Sequence, residues 1–504
     1  MTDTIQGAAA GAAPSATETF DSLDPATGEV VGTFPVHSED DVRAAVHTAR
    51  AAAAAWEELG FAGRRRHLLR WCGLMARRQE ELVTLVRREN GKPRDDAFLE
   101  LLLTLDHLRW AATHARRVLR PRAVAPGLLM ANHAASLEYR PFGVVGVIGP
   151  WNYPVFTPMG SIAYALAAGN AVVFKPSEHT PAVARWYVDA FAEANPDAPA
   201  GVLTLVTGLG ATGAALCRSG VDKLAFTGSA ATGRRVAAAC AETLTPVLME
   251  CGGKDAMIVA SDADPAAAAD AAVWGALSNA GQTCVGIERV YVTRSAREPF
   301  LAELTARAAR VRAGEDYGPM TMPGQHDVVR RHVSGALAAG GTAAVGGPDS
   351  VGDRLIGPVV IVDPPQDCEA VREETFGPTI TVQTVADEDE AVRLANDTTY
   401  GLGASVFSRR RGLELARRVR SGMTSVNAVI AFAGVPSLPF GGQGDSGYGR
   451  IHGPIGLREF ARPKAITRRR FTSPVELTTF ARDPRRVDLV RRLVRLRYGR
   501  HGRD

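Results

Sequence analysis

The sequence predicts an α/β fold built on two mainly parallel sheets, and three observations carry that prediction. Short β-branched runs alternate with helical stretches from residue 144 onward, which is the texture of strands joined by crossover helices. The first hundred residues instead carry apolar side chains at helical spacing. The chain has 504 residues, more than one hydrophobic core usually organises, so two or three domains are expected. Hydrophobic residues make up 46% and charged residues 22%, which excludes a disordered, collagenous or coiled-coil chain over most of the length.

In order along the chain, residues 1–20 run through Ala, Gly, Ser and Thr and are expected to be disordered. No basic segment precedes an apolar one there, so no secretory leader is expected. Helical periodicity follows from 41 to 55 and from 64 to 88, where Asn90-Gly91-Lys92-Pro93 stops it. A further helix over 95–119 ends at Arg120-Pro121, where proline forbids continuation. Val144-Val145-Gly146-Val147-Ile148, Ala171-Val172-Val173-Phe174, Val202-Leu203-Thr204-Leu205-Val206 and Lys223-Leu224-Ala225-Phe226 then read as strands. A second alternating series after residue 252 includes strands at 257–260, 290–292, 359–362 and 380–385. The organisation expected is one domain from 21–120 and 141–251, a second from 252–435, and short segments at 121–140 and 436–460 outside both.

Six cysteines lie scattered without metal-ligand spacing, so no metal site is expected and the thiols read as reduced, in a cytoplasmic protein. No window is apolar for long enough to span a bilayer as a helix. Residues 461–504 hold fourteen Arg or Lys against four Asp or Glu, so the remainder of this +4 chain is acidic on balance. That balance argues against nucleic-acid binding by the body of the protein.

Chemistry concentrates in a few segments. Ser278-Asn279-Ala280-Gly281-Gln282-Thr283-Cys284 sets a thiol in a loop after an Ala-rich helix; read alone, such a cysteine is more often a buried small hydrophobe. Glu250 precedes a Gly-Gly turn where the two series meet, and read alone it is a surface or capping acid. Trp151 and Asn152 follow a strand, at the end of a sheet where open α/β folds bind ligands. Lys175 and Glu178 follow the next strand, and such a pair suits ribose hydroxyls or a phosphate. A G-x-G-x-x-G stands at Gly208–Gly213, but late in the sheet; Phe226-Thr227-Gly228-Ser229 with Gly233 is the better phosphate loop, since a helix N-terminus follows the strand directly.

Taken in order, Pro150-Trp151-Asn152, Lys175-Pro176-Ser177-Glu178, Phe226-Thr227-Gly228-Ser229, Glu250-Cys251-Gly252-Gly253-Lys254, Gly281-Gln282-Thr283-Cys284, Glu373-Glu374-Thr375-Phe376-Gly377-Pro378 and Pro439-Phe440-Gly441-Gly442 resemble the aldehyde dehydrogenase superfamily from about residue 24 to 464. The resemblance implies two Rossmann-like parallel-sheet domains, one cofactor-binding and one catalytic, with a small β element for oligomerisation. It implies NAD(P)-dependent oxidation of an aldehyde to the acid. Cys284 would be the nucleophile, Asn152 an oxyanion donor and Glu250 the general base. Relatives that pass the acyl group to coenzyme A generally lack that glutamate, so a free acid is the expected product. The cofactor would lie against Ile148, Trp151, Lys175, Ser177, Glu178, Gly210, Gly228, Ser229, Gly233, Glu374 and Phe376. NAD is expected over NADP, because a carboxylate at 178 repels a 2′-phosphate.

Cys251 stands where the family most often has leucine, and reads as a small hydrophobe packed beside Glu250. Val285-Gly286-Ile287-Glu288-Arg289 is a variant that leaves the substrate open, a carboxylated semialdehyde such as succinate semialdehyde being one alternative and a catalytically inactive scaffold another. Phe156, Trp274, Phe432 and Phe440 could line an apolar tunnel or be plain core. The segments at 121–140 and 436–460 correspond to the family's oligomerisation elements, implying a homodimer or homotetramer. Beyond Lys464 the family pattern ends in a basic amphipathic helix, expected over 485–498, for which the readings are peripheral membrane contact, packing on a neighbouring subunit or partial disorder.

Overall fold

Apolar side chains at helical spacing do form the first helices, Glu39–Glu58, Gly60–Arg77, Gln79–Asn90 and Arg94–Leu119. The computed structural model describes residues 18–473 and 475–499; most of the expected disordered N-terminus lies outside them. Its last residues are ordered, because strand Thr19–Leu23 pairs antiparallel with Val30–Pro35. Ser38 opens the first helix reciprocally, its Oγ accepting from Asp41 N while the Asp41 carboxylate accepts from Ser38 N. The 64–88 run is two helices and not one, since the chain turns at Arg78. Gly91, at φ +89°, ends the second of them in the left-handed conformation that favours glycine.

Six strands form the first sheet, in the order Gly447–Tyr448, Val247–Cys251, Lys223–Gly228, Val144–Ile148, Ala171–Lys175 and Leu203–Leu205. All neighbours are parallel except the first pair. From Val144–Ile148 the chain steps outward through 171 and 203, then returns to the other side with 223 and 247. That reversal leaves a crevice beyond the carboxyl ends of the central strands, the place where doubly wound sheets bind ligands.

The second sheet has seven strands, Thr342–Val345, Val359–Val362, Thr379–Val385, Ile287–Thr293, Asp255–Val259, Ala404–Phe407 and Ser425–Val426, parallel except for the first pair. Met257, Val290 and Val382 on its central strands are completely buried, which is why these strands read as continuous apolar runs.

Residues 18–118 and 141–462 form one compact unit, and 119–140 with 463–499 a second. The boundary differs from the expected one. Within 436–460, Gly447–Tyr448 joins the six-stranded sheet, whereas the strand beside His133–Pro141 is Ala461–Arg469, inside the expected basic tail. An edge strand needs no apolar face and charge blunts it, so its basic composition concealed it. Helix Pro484–Tyr498 forms as expected, capped by Asp483, and buries none of its side chains. No helix among the described residues is long and apolar enough to cross a membrane.

Candidate active site

A cavity of 1370 Å³ lies at the crevice of the six-stranded sheet. Ile148, Trp151 and Asn152 line it after the first strand, Lys175, Ser177 and Glu178 after the next, and Gly210 at the start of helix Gly210–Arg218. Gly228 and Ser229 line it where helix Ala230–Ala241 begins. Cys284, Glu374 and Phe376 close it from the second sheet, on loops that enter strands Ile287–Thr293 and Thr379–Val385 at their amino ends. Gly233 does not reach the cavity. A Cβ there would sit 2.8 Å from Met249 Sδ and 2.9 Å from Cys251 Sγ, so glycine serves the close packing of its helix on the sheet.

The thiol loop is held by backbone conformation. Helix Pro265–Leu277 is capped by Asp264, and the chain then passes through Asn279, Ala280 and Gly281 at φ 54°, 56° and 71°. Three successive left-handed residues turn the chain sharply, and a Cβ on Gly281 would strike the carbonyl of Gly377. Gln282 locks the turn: its Nε2 donates to Asn279 O at 2.9 Å and its Oε1 accepts from Thr321 N at 2.8 Å. Cys284 follows, partly exposed at the cavity wall.

Asn152 faces it from the first sheet. Its Nδ2 donates to Gln282 O at 3.0 Å, which uses one of two amide hydrogens and ties the two loops together. Its own carbonyl accepts from Lys92 Nζ at 2.6 Å and Asn279 Nδ2 at 3.1 Å. Lys92 is fully buried and paired with Glu100, whose other oxygen accepts from Val155 N and Phe156 N. Lys92 and Glu100 thus fix the Asn152 loop. Sequence reading assigned neither a role in the site, because a lysine in an interhelical turn and a glutamate on a helix ordinarily face solvent.

Glu250 is buried at the end of strand Val247–Cys251, and its Oε1 has no hydrogen-bond partner. Burial pushes its carboxyl up to about 8, against the pull of Arg450 and the Ile451 amide. The Cys284 thiol is pushed far up by burial first, then by the charges of Glu250, Asp255 and Glu374. The Glu250 charge thus reaches the Cys284 thiol and raises it further. Cys251 is buried beside Glu250, consistent with a packed hydrophobe.

The far end of the cavity suits a dinucleotide. Lys175 lies buried, 3.6 Å from the half-exposed Glu178. Ser229 Oγ caps its helix by accepting from Thr232 N, and that N-terminus presents amides to an anion. Glu374, partly exposed at the cavity wall, accepts from Gly253 N at 3.1 Å and keeps acceptor capacity for hydroxyls; desolvation raises its carboxyl to about 8. Trp151 meets Phe376 edge to face at 5.6 Å. Gln325, Arg331 and His332 also line the cavity; no motif in the sequence had pointed to them. Phe156 and Phe440 are core, packed around His452, and Trp274 is exposed.

Residues 12–466 match the family model described as "Aldehyde dehydrogenase family". The chain belongs to that family. It is 38% identical over 470 residues to a 4,4'-diapolycopene aldehyde oxidase of Methylomonas sp., covering 92% of this chain and 88% of that one. It is 37% identical over 452 residues to a putative NADP+ succinate-semialdehyde dehydrogenase of Mycobacterium ulcerans, covering 87% and 86%. An NAD-dependent aldehyde dehydrogenase from Sinorhizobium meliloti superposes with a TM-score of 0.87 at 35% identity, over 92% of this chain and 93% of that one. PnpE in complex with nicotinamide adenine dinucleotide superposes with a TM-score of 0.86 at 32% identity, over 92% and 96%. This aldehyde dehydrogenase therefore has the two Rossmann-like domains of the family and oxidises aldehydes with NAD or NADP.

Proposed function

We propose that this aldehyde dehydrogenase converts an apolar aldehyde to the free carboxylic acid through a thioester on Cys284. Cys284 Sγ, its proton passed to the Glu250 carboxylate and from there to solvent, attacks the aldehyde carbon. The second amide hydrogen of Asn152 and the backbone N–H of Cys284 stabilise the resulting oxyanion. The nicotinamide dinucleotide, when bound, supplies the hydride acceptor that turns this adduct into a thioester. Glu250 then takes a proton from water, which attacks the thioester carbon and releases the acid and the thiolate. The observation that carries the reading is the buried Glu250 carboxyl, raised by burial to about 8, one oxygen of which has no partner and whose charge reaches the Cys284 thiol.

Two finer points follow from side chains already placed. A carboxylated semialdehyde needs a free cation beside the thiol, and several cations around these loops are engaged: Lys92 by Glu100, Lys254 by Glu288, Arg289 by Lys254 O, Arg450 by Gly442 O and Gly449 O, and Arg331 by Glu369. That supports an apolar aldehyde. The Glu178 carboxylate supports NAD over NADP. Strand Arg122–Val124 pairs with the side of His133–Pro141 opposite Ala461–Arg469 and leaves an exposed sheet edge, which supports a homo-oligomer, and sedimentation velocity reads its size.

The test is NADH formation at 340 nm with aliphatic, aromatic and carboxylated aldehydes, each with NAD and NADP, beside Cys284→Ala. The apolar aldehydes should give the highest kcat/KM, with NAD favoured and Cys284→Ala inactive. Folded protein that binds NAD by calorimetry yet oxidises none of the panel would sink the reading and favour a scaffold.

A further inference from the structure

Glu288 is not in the cavity, yet it holds two residues that are. It sits at the second position of strand Ile287–Thr293, four residues after Cys284, and is 6% exposed. Its carboxylate pairs with the fully buried Lys254. The same carboxylate accepts from Thr375 N at 3.1 and 2.8 Å and from Phe376 N at 2.9 Å. These amides belong to the loop whose Glu374 and Phe376 side chains line the cavity.

That loop needs holding. Phe376 lies at φ 52°, in the left-handed region that a bulky side chain rarely adopts. Thr375, between the two lining residues, is gripped on every polar atom: Oγ1 accepts from Lys254 Nζ at 3.1 Å and lies 3.0 Å from His332 Nδ1, and its carbonyl accepts from Gln325 Nε2 at 2.5 Å. Amides bound to a carboxylate make stronger hydrogen bonds than amides bound to a neutral oxygen, so Glu288 is the strongest of these restraints.

We infer that Glu288, with Lys254 as its counterion, is a positioning residue that sets the cofactor-clamping pose of Glu374 and Phe376. It acts through the 374–376 backbone and touches neither substrate nor dinucleotide. The inference rests on the reading of the cavity as the dinucleotide site. The variant segment after Cys284 thereby acquires a structural role, since the strand that follows the nucleophile loop also carries the brace of the opposite wall.

Calorimetric titration with NAD tests it on three variants. Glu288→Asp keeps the charge but withdraws the carboxylate by one methylene; Glu288→Gln removes the charge; the double variant Lys254→Met with Glu288→Met replaces the buried pair by apolar side chains of similar length, an exchange that folds commonly tolerate. Glu288→Asp and the double variant should bind NAD at least tenfold more weakly, with KM for NAD rising in step. Glu288→Gln should lie between them and wild type. The rate at which iodoacetamide alkylates Cys284 without cofactor should stay at the wild-type value, a result that general loosening of the site would not give. A folded double variant, or a folded Glu288→Asp, whose Kd stays within twofold of wild type would overturn the inference, as would alkylation that changes as much as Kd does. Should the double variant not fold, Glu288→Asp decides by the same two readings. Repeating the titration on Cys284→Ala separates this outcome from the fate of the proposed nucleophile, because cofactor binding does not depend on that thiol.

Discussion

Burial raises both the Cys284 thiol and the Glu250 carboxyl, with consequences for rate. The Glu250 charge raises the thiol further. The active form needs one proton fewer than the form that burial prefers near neutrality. We expect kcat/KM to rise with pH through an acid limb near 8, and Glu250→Gln to remove that limb while lowering the deacylation rate by about 10² to 10⁴. Cys284→Ala should abolish turnover, a loss of about four orders of magnitude or more, with NAD affinity unchanged by calorimetry. A Glu250→Gln profile that keeps the wild-type limb would assign the limb to another group. At this scale the ordered motifs pointed to Cys284, Asn152 and Glu374, and the fold brings all three to one cavity. The sequence misled at Gly233, where the missing side chain makes room for Met249 and Cys251 instead of a phosphate.

The loops that present these residues are built by contacts between elements far apart in the chain, and that is where sequence reading ran out. Strands with both faces buried announced themselves as apolar runs, and the helices as periodic ones. The braces did not: Lys92 reaches 60 residues forward to Asn152 O, and Glu288 accepts from an amide 87 residues on. Nothing local marks a charged residue that will be buried against a backbone it meets only after folding. The thiol turn is the exception, since Gly281 at φ 71° is required by both conformation and space. We expect Gly281→Ala to cost at least about 3 kcal/mol, from left-handed strain together with the collision at Gly377 O, and to lower Tm. The same variant should lose Cys284 alkylation by iodoacetamide, because the chain can relieve the collision only by moving the thiol loop. A Gly281→Ala protein with wild-type Tm and thiol reactivity would show that the turn is not built as described.

Over the whole molecule the buried carboxyls shape stability as well as rate. Glu250 and Glu374 are raised to about 8, and Asp255 and Glu89 to about 7, by burial in each case. Such groups hold their protons in the fold after the unfolded chain has released them, so between about pH 4.5 and 8 the folded state binds more protons. Stability from these groups is therefore fully present below 4.5 and is lost as pH rises to 8, by up to about 1.4 kcal/mol per pH unit for each group. His107 and His452 work in the opposite sense. Burial holds them neutral in the fold, His107 down to about 4 and His452 well below its ordinary value, so the unfolded chain takes up protons below 6.5 and stability falls with acid. The two windows overlap between about pH 4.5 and 6.5, where four carboxyls outweigh two histidines, so these groups together favour the acid end of that window and a single curve cannot apportion them. The difference between wild type and Glu250→Gln can, because the histidines are common to both. Gln does not titrate, so Tm of the variant relative to wild type should increase from pH 5 to pH 8.5, reaching its largest value above 8. A difference that is flat across that range would mean Glu250 ionises in the fold as easily as in water, and the proton-accepting role proposed for it near pH 8 would lose its physical basis.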